Sequence, residues 1–168
     1  AEVGISRAEG ALHMPPSIRG KEERGGRNMT RPNIILILAD DMGYWTLGSS
    51  GNQDACTPNL DEMARAGCRM ENFFCASPVC SPARATLMTG KMPSTHGVLD
   101  WISGGNVAAG GEKGIEYLKE FPCYTDYLSS SGYICGLSGK WHLGSAEKPQ
   151  KGFRHWYAHQ SGGGPYFD

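Results

Sequence analysis

The chain has 168 residues, 39% of them hydrophobic and 20% charged, enough to bury a core and most simply one globular domain, which excludes a compositionally disordered chain. Sixteen Lys and Arg against seventeen Asp and Glu leave a net charge of −1. That balance provides no global field for nucleic acid or an anionic membrane, so an anionic substrate must be met by a local site.

Residues 1–28 contain no apolar core of a secretory signal and read as a flexible tail, or as an upstream extension in front of a natural start at Met29, with 29–168 as the folded part. No apolar run approaches the roughly 18 residues of a membrane span, so neither a membrane nor a nucleic acid is an expected partner. Without a signal, Cys56, Cys68, Cys75, Cys80, Cys123 and Cys135 read as mostly free thiols, and the expected location is cytoplasmic. No C-x-x-C pair occurs, which argues against zinc.

"RPNIILILADDMGYW" (31–45) is a solid apolar run, the pattern of a strand covered on both faces, and it ends in Asp40 and Asp41. In "CTPNLDEMARAGCRMENFF" (56–74), Thr57 can cap, Pro58 suits the first helical position, Leu60, Met63 and Ala64 make an apolar stripe and Gly67 ends it. A short strand is expected near 69–74. A second helix is expected from Cys80 or Ser81 to about Met88, stopped by Thr89 and Gly90. Residues 91–117 are glycine-rich and read as a long surface loop. "PCYTDYLSSSGY" (122–133) reads as a short helix ending at Gly132, and "YICGLSGKW" (133–141) as a strand; from 144 onward the chain reads as polar and irregular. Alternating strands and helices imply an α/β domain with a largely parallel sheet.

Three constellations carry chemistry. Asp40 and Asp41 follow directly on a strand, where ligands of open α/β sheets sit. They suit either a hard cation such as Ca²⁺ or Mg²⁺, or an ordinary turn or helix cap. In "CSPAR" (80–84), Cys80 and Arg84 share one helical face and Pro82 is tolerated in the first turn. The helix terminus and Arg84 would favour negative charge near Cys80; the plain alternative is a buried cysteine beside a surface arginine. In "GKWHLG" (139–144), an extended backbone would point Lys140 and His142 to one side and Trp141 to the other. There the alternative is a strand-end lysine with a solvated histidine. His96 reads as a hydrogen-bonding residue that holds the loop after the second helix.

"CSPARATLMTG" (80–90) resembles the sulfatase signature C-x-P-x-R followed by T-G, and "NIILILADDMGYW" (33–45) resembles that family's opening metal-binding strand. "TPNLDEMARAG", "MPSTHG" and "GKWHLG" follow in the family's order, so the resemblance covers about 33–153. It implies an alkaline-phosphatase-like α/β fold, a mostly parallel sheet flanked by helices, and a sulfuric ester hydrolase. It further implies that a maturation enzyme converts Cys80 to formylglycine, whose geminal diol supplies the nucleophile. By the same likeness, Asp40, Asp41 and modified Cys80 are ligands of a divalent cation, usually Ca²⁺ with Mg²⁺ possible, Arg84 steadies the diol, Lys140 contacts the sulfate and His142 acts as a base. The second hydroxyl is what a serine lacks: when it loses its proton the carbon can expel the sulfate and return to an aldehyde.

The implied substrate is a small sulfated molecule, a sulfated sugar or an aryl sulfate. The rival readings are a phosphonate or phosphate monoester hydrolase using the same motif, and a non-catalytic sulfatase-like fragment. Calcium takes about six to eight oxygen ligands, more than Asp40, Asp41 and residue 80 supply. The chain is therefore expected to be an amino-terminal part of the catalytic domain, with an incomplete sheet and doubtful activity alone.

Overall fold

The computed structural model describes residues 3–6, 31–103, 114–159 and 162–163, in two compact units, 1–74 and 75–168. In the first unit, strand β1 (Val3–Ser6) pairs antiparallel with β2 (Ile35–Leu38), Val3 opposite Leu38 and Ser6 opposite Ile35. β1 lies inside the stretch read as a flexible tail, so that reading does not hold for Val3–Ser6; the rest of 1–28 lies outside the described residues.

β2 is shorter than its apolar run, and Ile34, Ile35, Leu36 and Ile37 are 36 to 59% exposed rather than covered on both faces. A strand is buried twice only where layers pack on each side, and β1 extends the sheet sideways without covering either face. Helix α1 (Pro58–Ala66) starts on Pro58 and stops at Gly67 as its residues dictate. Thr57, however, does not cap it. Its Oγ1 accepts the Gly48 N–H at 2.9 Å and donates to Asp61 Oδ1 at 3.1 Å, while Asp61 Oδ1 also accepts the Ser49 N–H at 2.7 Å. Those bonds tie α1 to the short 3₁₀ turn Gly48–Ser50. The strand expected near 69–74 does not form: Met70, Phe73 and Phe74 are exposed, and a strand exists only through a ladder partner.

The second unit holds the core. Helix α2 (Cys80–Thr89) is followed by a one-turn helix α3 (Pro93–His96), helix α4 (Tyr124–Ser130), strand β3 (Cys135–Lys140) and strand β4 (Phe153–His159). Ala85, Met88, Val98, Ile102, Leu118, Cys123, Trp141, Leu143 and Ala146 form one buried cluster, against which Leu137, Phe153 and Trp156 pack. Burial pushes the Cys123 thiol up to about 11.

The segment 91–117 is not only a surface loop, because it contains α3 and buries His96, Val98 and Ile102; residues 104–113 lie outside the described residues. The stretch after 144 is not irregular either. β4 pairs parallel with β3, Leu137 opposite Trp156 and Lys140 opposite His159. A register shift near Cys135 and Gly136 spaces the half-buried Phe153 and Trp156 three apart, which hides the alternation a strand normally shows. Among the described residues no helix is long and apolar enough to cross a membrane.

Candidate functional site

α2 begins where its residues require. Val79 is extended at φ −107°, ψ 138°, its carbonyl accepts the Ala83 N–H at 3.0 Å, and Pro82 lies in the first turn, where a missing N–H costs nothing. Gly90 closes the helix at φ 67°, its N–H bonding to the Thr86 carbonyl at 2.8 Å. Ser81, Pro82, Ala85 and Met88 face the core, and Cys80 is half-buried at the helix start. All six cysteines are free thiols.

Arg84, one turn from Cys80 on the same flank, donates from Nη1 to the Lys140 carbonyl oxygen at 2.7 Å. This bond joins the "CSPAR" helix to the end of β3, so two motifs separated in sequence meet through a guanidinium and a backbone oxygen.

Beyond Lys140 the backbone leaves strand geometry, which corrects the expected alternation. Trp141 is buried with its ring edge-on to Phe153 (6.1 Å) and Trp156 (5.1 Å). His142, at φ 54° in the left-handed region, is fully buried as well, so it is not the solvated histidine of the plain alternative. Its Nε2 lies 2.9 Å from the Ile102 carbonyl oxygen. A carbonyl only accepts, so Nε2 carries the proton and Nδ1 is the basic nitrogen of the neutral ring. The Trp101 ring stands 5.6 Å away, inclined by 74°. A Cβ on Gly162 would come within 2.5 Å of His142 Cε1, so glycine lets the backbone lie directly over the imidazole.

His96 has the structural role expected of it. Its Nδ1 accepts the Val98 N–H at 3.1 Å, which leaves Nε2–H to bond Thr86 Oγ1 at 3.1 Å. Burial lowers its pKa from the ordinary 6.5. A neutral His96 thus fastens the turn after α3 to α2.

Asp40 and Asp41 belong to the first unit, where both are exposed immediately after β2. Asp41 adopts φ 58°, a conformation aspartate tolerates better than most residues. Of the three non-glycine residues with positive φ among the described residues, two are Asp41 and His142, and the third is Lys151. Backbone in such sparsely populated regions clusters at functional sites. Exposed paired carboxylates suit the oxygen chemistry of calcium. Among the described residues no group of three or more His, Cys, Asp or Glu side chains gathers as a metal set, so further ligands would have to join them. Sequence reasoning passed over Ile102, Trp101 and Gly162. A backbone carbonyl carries no residue signature, and a Trp in a glycine-rich loop reads as ordinary surface.

Residues 32–165 match the family described as Sulfatase. Human Arylsulfatase A is 36% identical over 140 residues, covering 78% of this chain and 26% of that protein. Human N-acetylgalactosamine-6-sulfatase is 39% identical over 137 residues, covering 75% and 25%. Human Steryl-sulfatase is 37% identical over 126 residues, covering 75% and 21%. The crystal structure of Ps i-CgsB superposes with a TM-score of 0.63 at 34% identity, over 78% of this chain and 28% of that one. The chain therefore spans about a quarter of the length of these relatives.

Proposed function

The chain belongs to the sulfatase family, with its α/β, alkaline-phosphatase-like fold present in part, and from that premise we propose that it carries the nucleophile-bearing portion of a sulfuric ester hydrolase. Cys80, converted to formylglycine by a maturation enzyme, is the nucleophile of this reading. Arg84 steadies the modified residue, Lys140 meets the charge of the sulfate and His142 handles a proton through Nδ1. Asp40 and Asp41 would hold a divalent cation, Ca²⁺ or Mg²⁺, which would draw negative charge off the ester oxygens. The substrate class is a small sulfate ester, on a sugar or an aryl group.

The observation that carries the reading is the bond from Arg84 Nη1 to the Lys140 carbonyl oxygen. It fixes a permanent cation between the helix start that bears Cys80 and the turn that bears His142. The charge therefore stands in place before a substrate arrives, and no reorganisation is needed as a sulfuryl group gains charge. Burial of His142 keeps its ring from competing water.

Two measurements on the natural polypeptide test the reading. Peptide mass spectrometry should find residue 80 as the aldehyde, and unmodified cysteine in active enzyme would refute the nucleophile. Rates on paired aryl sulfate and aryl phosphate esters should favour the sulfate; a preference for the phosphate would assign the chain to phosphate ester hydrolysis.

A further inference from the structure

Ser81 follows directly on Cys80, is fully buried, and takes no part in the chemistry proposed above. Its Oγ accepts the N–H of Ile102 at 3.2 Å, across twenty-one positions of the chain. The carbonyl oxygen of the same residue accepts from His142 Nε2 at 2.9 Å, across forty. Ile102 is itself buried, so its two backbone polar groups are committed to two side chains. One of these is the neighbour of the nucleophile, and the other is the histidine.

The arrangement has a direct physical consequence. Buried backbone groups are held to their partners because leaving one unpaired in a dry interior is costly. The hydroxyl of Ser81 therefore fixes the height of Ile102 above α2, and the Ile102 oxygen in turn fixes both the position of the His142 ring and which of its nitrogens is protonated. Trp101, whose own N–H bonds to Asp100 Oδ1 at 2.7 Å, sets its ring against the imidazole from the same segment.

We infer that Ser81 is a positioning residue: through Ile102 it holds His142 in register with residue 80 and keeps its ring in the form protonated at Nε2, so that Nδ1 is the basic nitrogen. The inference rests on the reading of His142 as the base. Serine suits the position because its hydroxyl is short enough to reach the Ile102 N–H from the first turn. Alanine would leave that N–H buried and unpaired, whereas threonine would keep the bond.

The test uses the natural polypeptide, with formylglycine at residue 80 quantified by mass spectrometry and rates expressed per converted site. Ser81→Ala should lower kcat about tenfold to a hundredfold with KM little changed, the pattern of a misplaced reacting group rather than lost substrate binding. Its acidic kcat limb should move to lower pH, because the Ile102 carbonyl bonds the imidazolium more strongly than the neutral ring. Ser81→Thr should keep both rate and profile. A crippled His142→Ala beside a Ser81→Ala of unchanged rate and profile would overturn the inference alone, while a wild-type rate in His142→Ala would remove the reading beneath it. Equal losses in the alanine and threonine variants would mark packing damage and also overturn it. Should Ser81→Ala fail to fold, nitrogen NMR of the unaltered protein decides: a protonated Nε2 in slow exchange is expected, and a ring protonated at Nδ1 would refute the inference.

Discussion

Arg84 Nη1 bonds the carbonyl oxygen of Lys140 at 2.7 Å across fifty-six positions of the chain, so one guanidinium is shared between the helix that starts at Cys80 and the strand that ends at Lys140. Lysine could carry the charge but not the planar fork, which can face a backbone oxygen with one N–H and keep others for a neighbour. Arg84→Lys in the natural polypeptide should therefore lower kcat by about tenfold or more, the scale of losing a positioned electrostatic group. Steady-state rates per converted site provide the check, and an unchanged kcat would mean that Arg84 serves only to join α2 to β3.

Gly144 shows how tightly the turn after His142 is packed. It adopts φ +100°, its Cβ position would overlap the carbonyl oxygen of Ile115, and the neighbouring Ser145 N–H bonds that same oxygen at 2.8 Å. Gly144→Ala combines left-handed strain with a backbone clash, so it should cost about 2 kcal/mol or more of stability. Urea unfolding followed by intrinsic fluorescence would measure this through Trp141 and Trp156, which lie in the adjoining core. A midpoint equal to wild type would show that the backbone around Ile115 yields without cost.

The second helix was legible in the sequence because every signal for it is local: Pro82 in the first turn, Arg84 one turn from Cys80 and Gly90 in the left-handed cap. The same holds for α1, with Pro58 and Gly67 at its ends. What could not be read depends on partners distant in the chain. β4 hides its alternation behind a register shift that only pairing with β3 reveals. The burial of His142 is set by Ile102, Trp101 and Gly162, none of which marks itself in sequence. The apolar composition of 33–39 predicts a covered β2, yet cover comes from packed layers, and β1 supplies only a ladder.

His96 makes stability depend on pH in a definite direction. Burial holds its folded pKa below the ordinary 6.5, so the unfolded chain takes up the proton first. The stabilisation is complete above that value and is lost as pH falls from it toward the folded pKa. Protonation would also place a donor against the Val98 N–H, which now bonds Nδ1. His96→Gln offers a donor and an acceptor without titrating. Urea midpoints taken between about pH 7.5 and 5.5 should fall for the wild type more steeply than for this variant. Parallel slopes would show that His96 stays unprotonated in both states across the range or protonates in both alike.

The apolar run of β2 bears on how the 168-residue chain behaves by itself. Ile34, Ile35, Leu36 and Ile37 are half-exposed side by side, and among the described residues β2 is bonded along one edge only, to β1. An exposed apolar strand with an open edge is a template for pairing with another copy. Residues 1–168 expressed alone should therefore self-associate with rising concentration, as seen by sedimentation velocity. Replacing Ile35 and Ile37 together by lysine should suppress that association, because edge charges oppose strand-to-strand contact. Ile35 and Ile37 belong to the first unit and Trp141 to the buried cluster of the second, so the variant should keep the near-ultraviolet signal of that cluster. Association that persists undiminished in the lysine variant, with the core signal intact, would place the sticky surface elsewhere and free β2 of the role assigned to it.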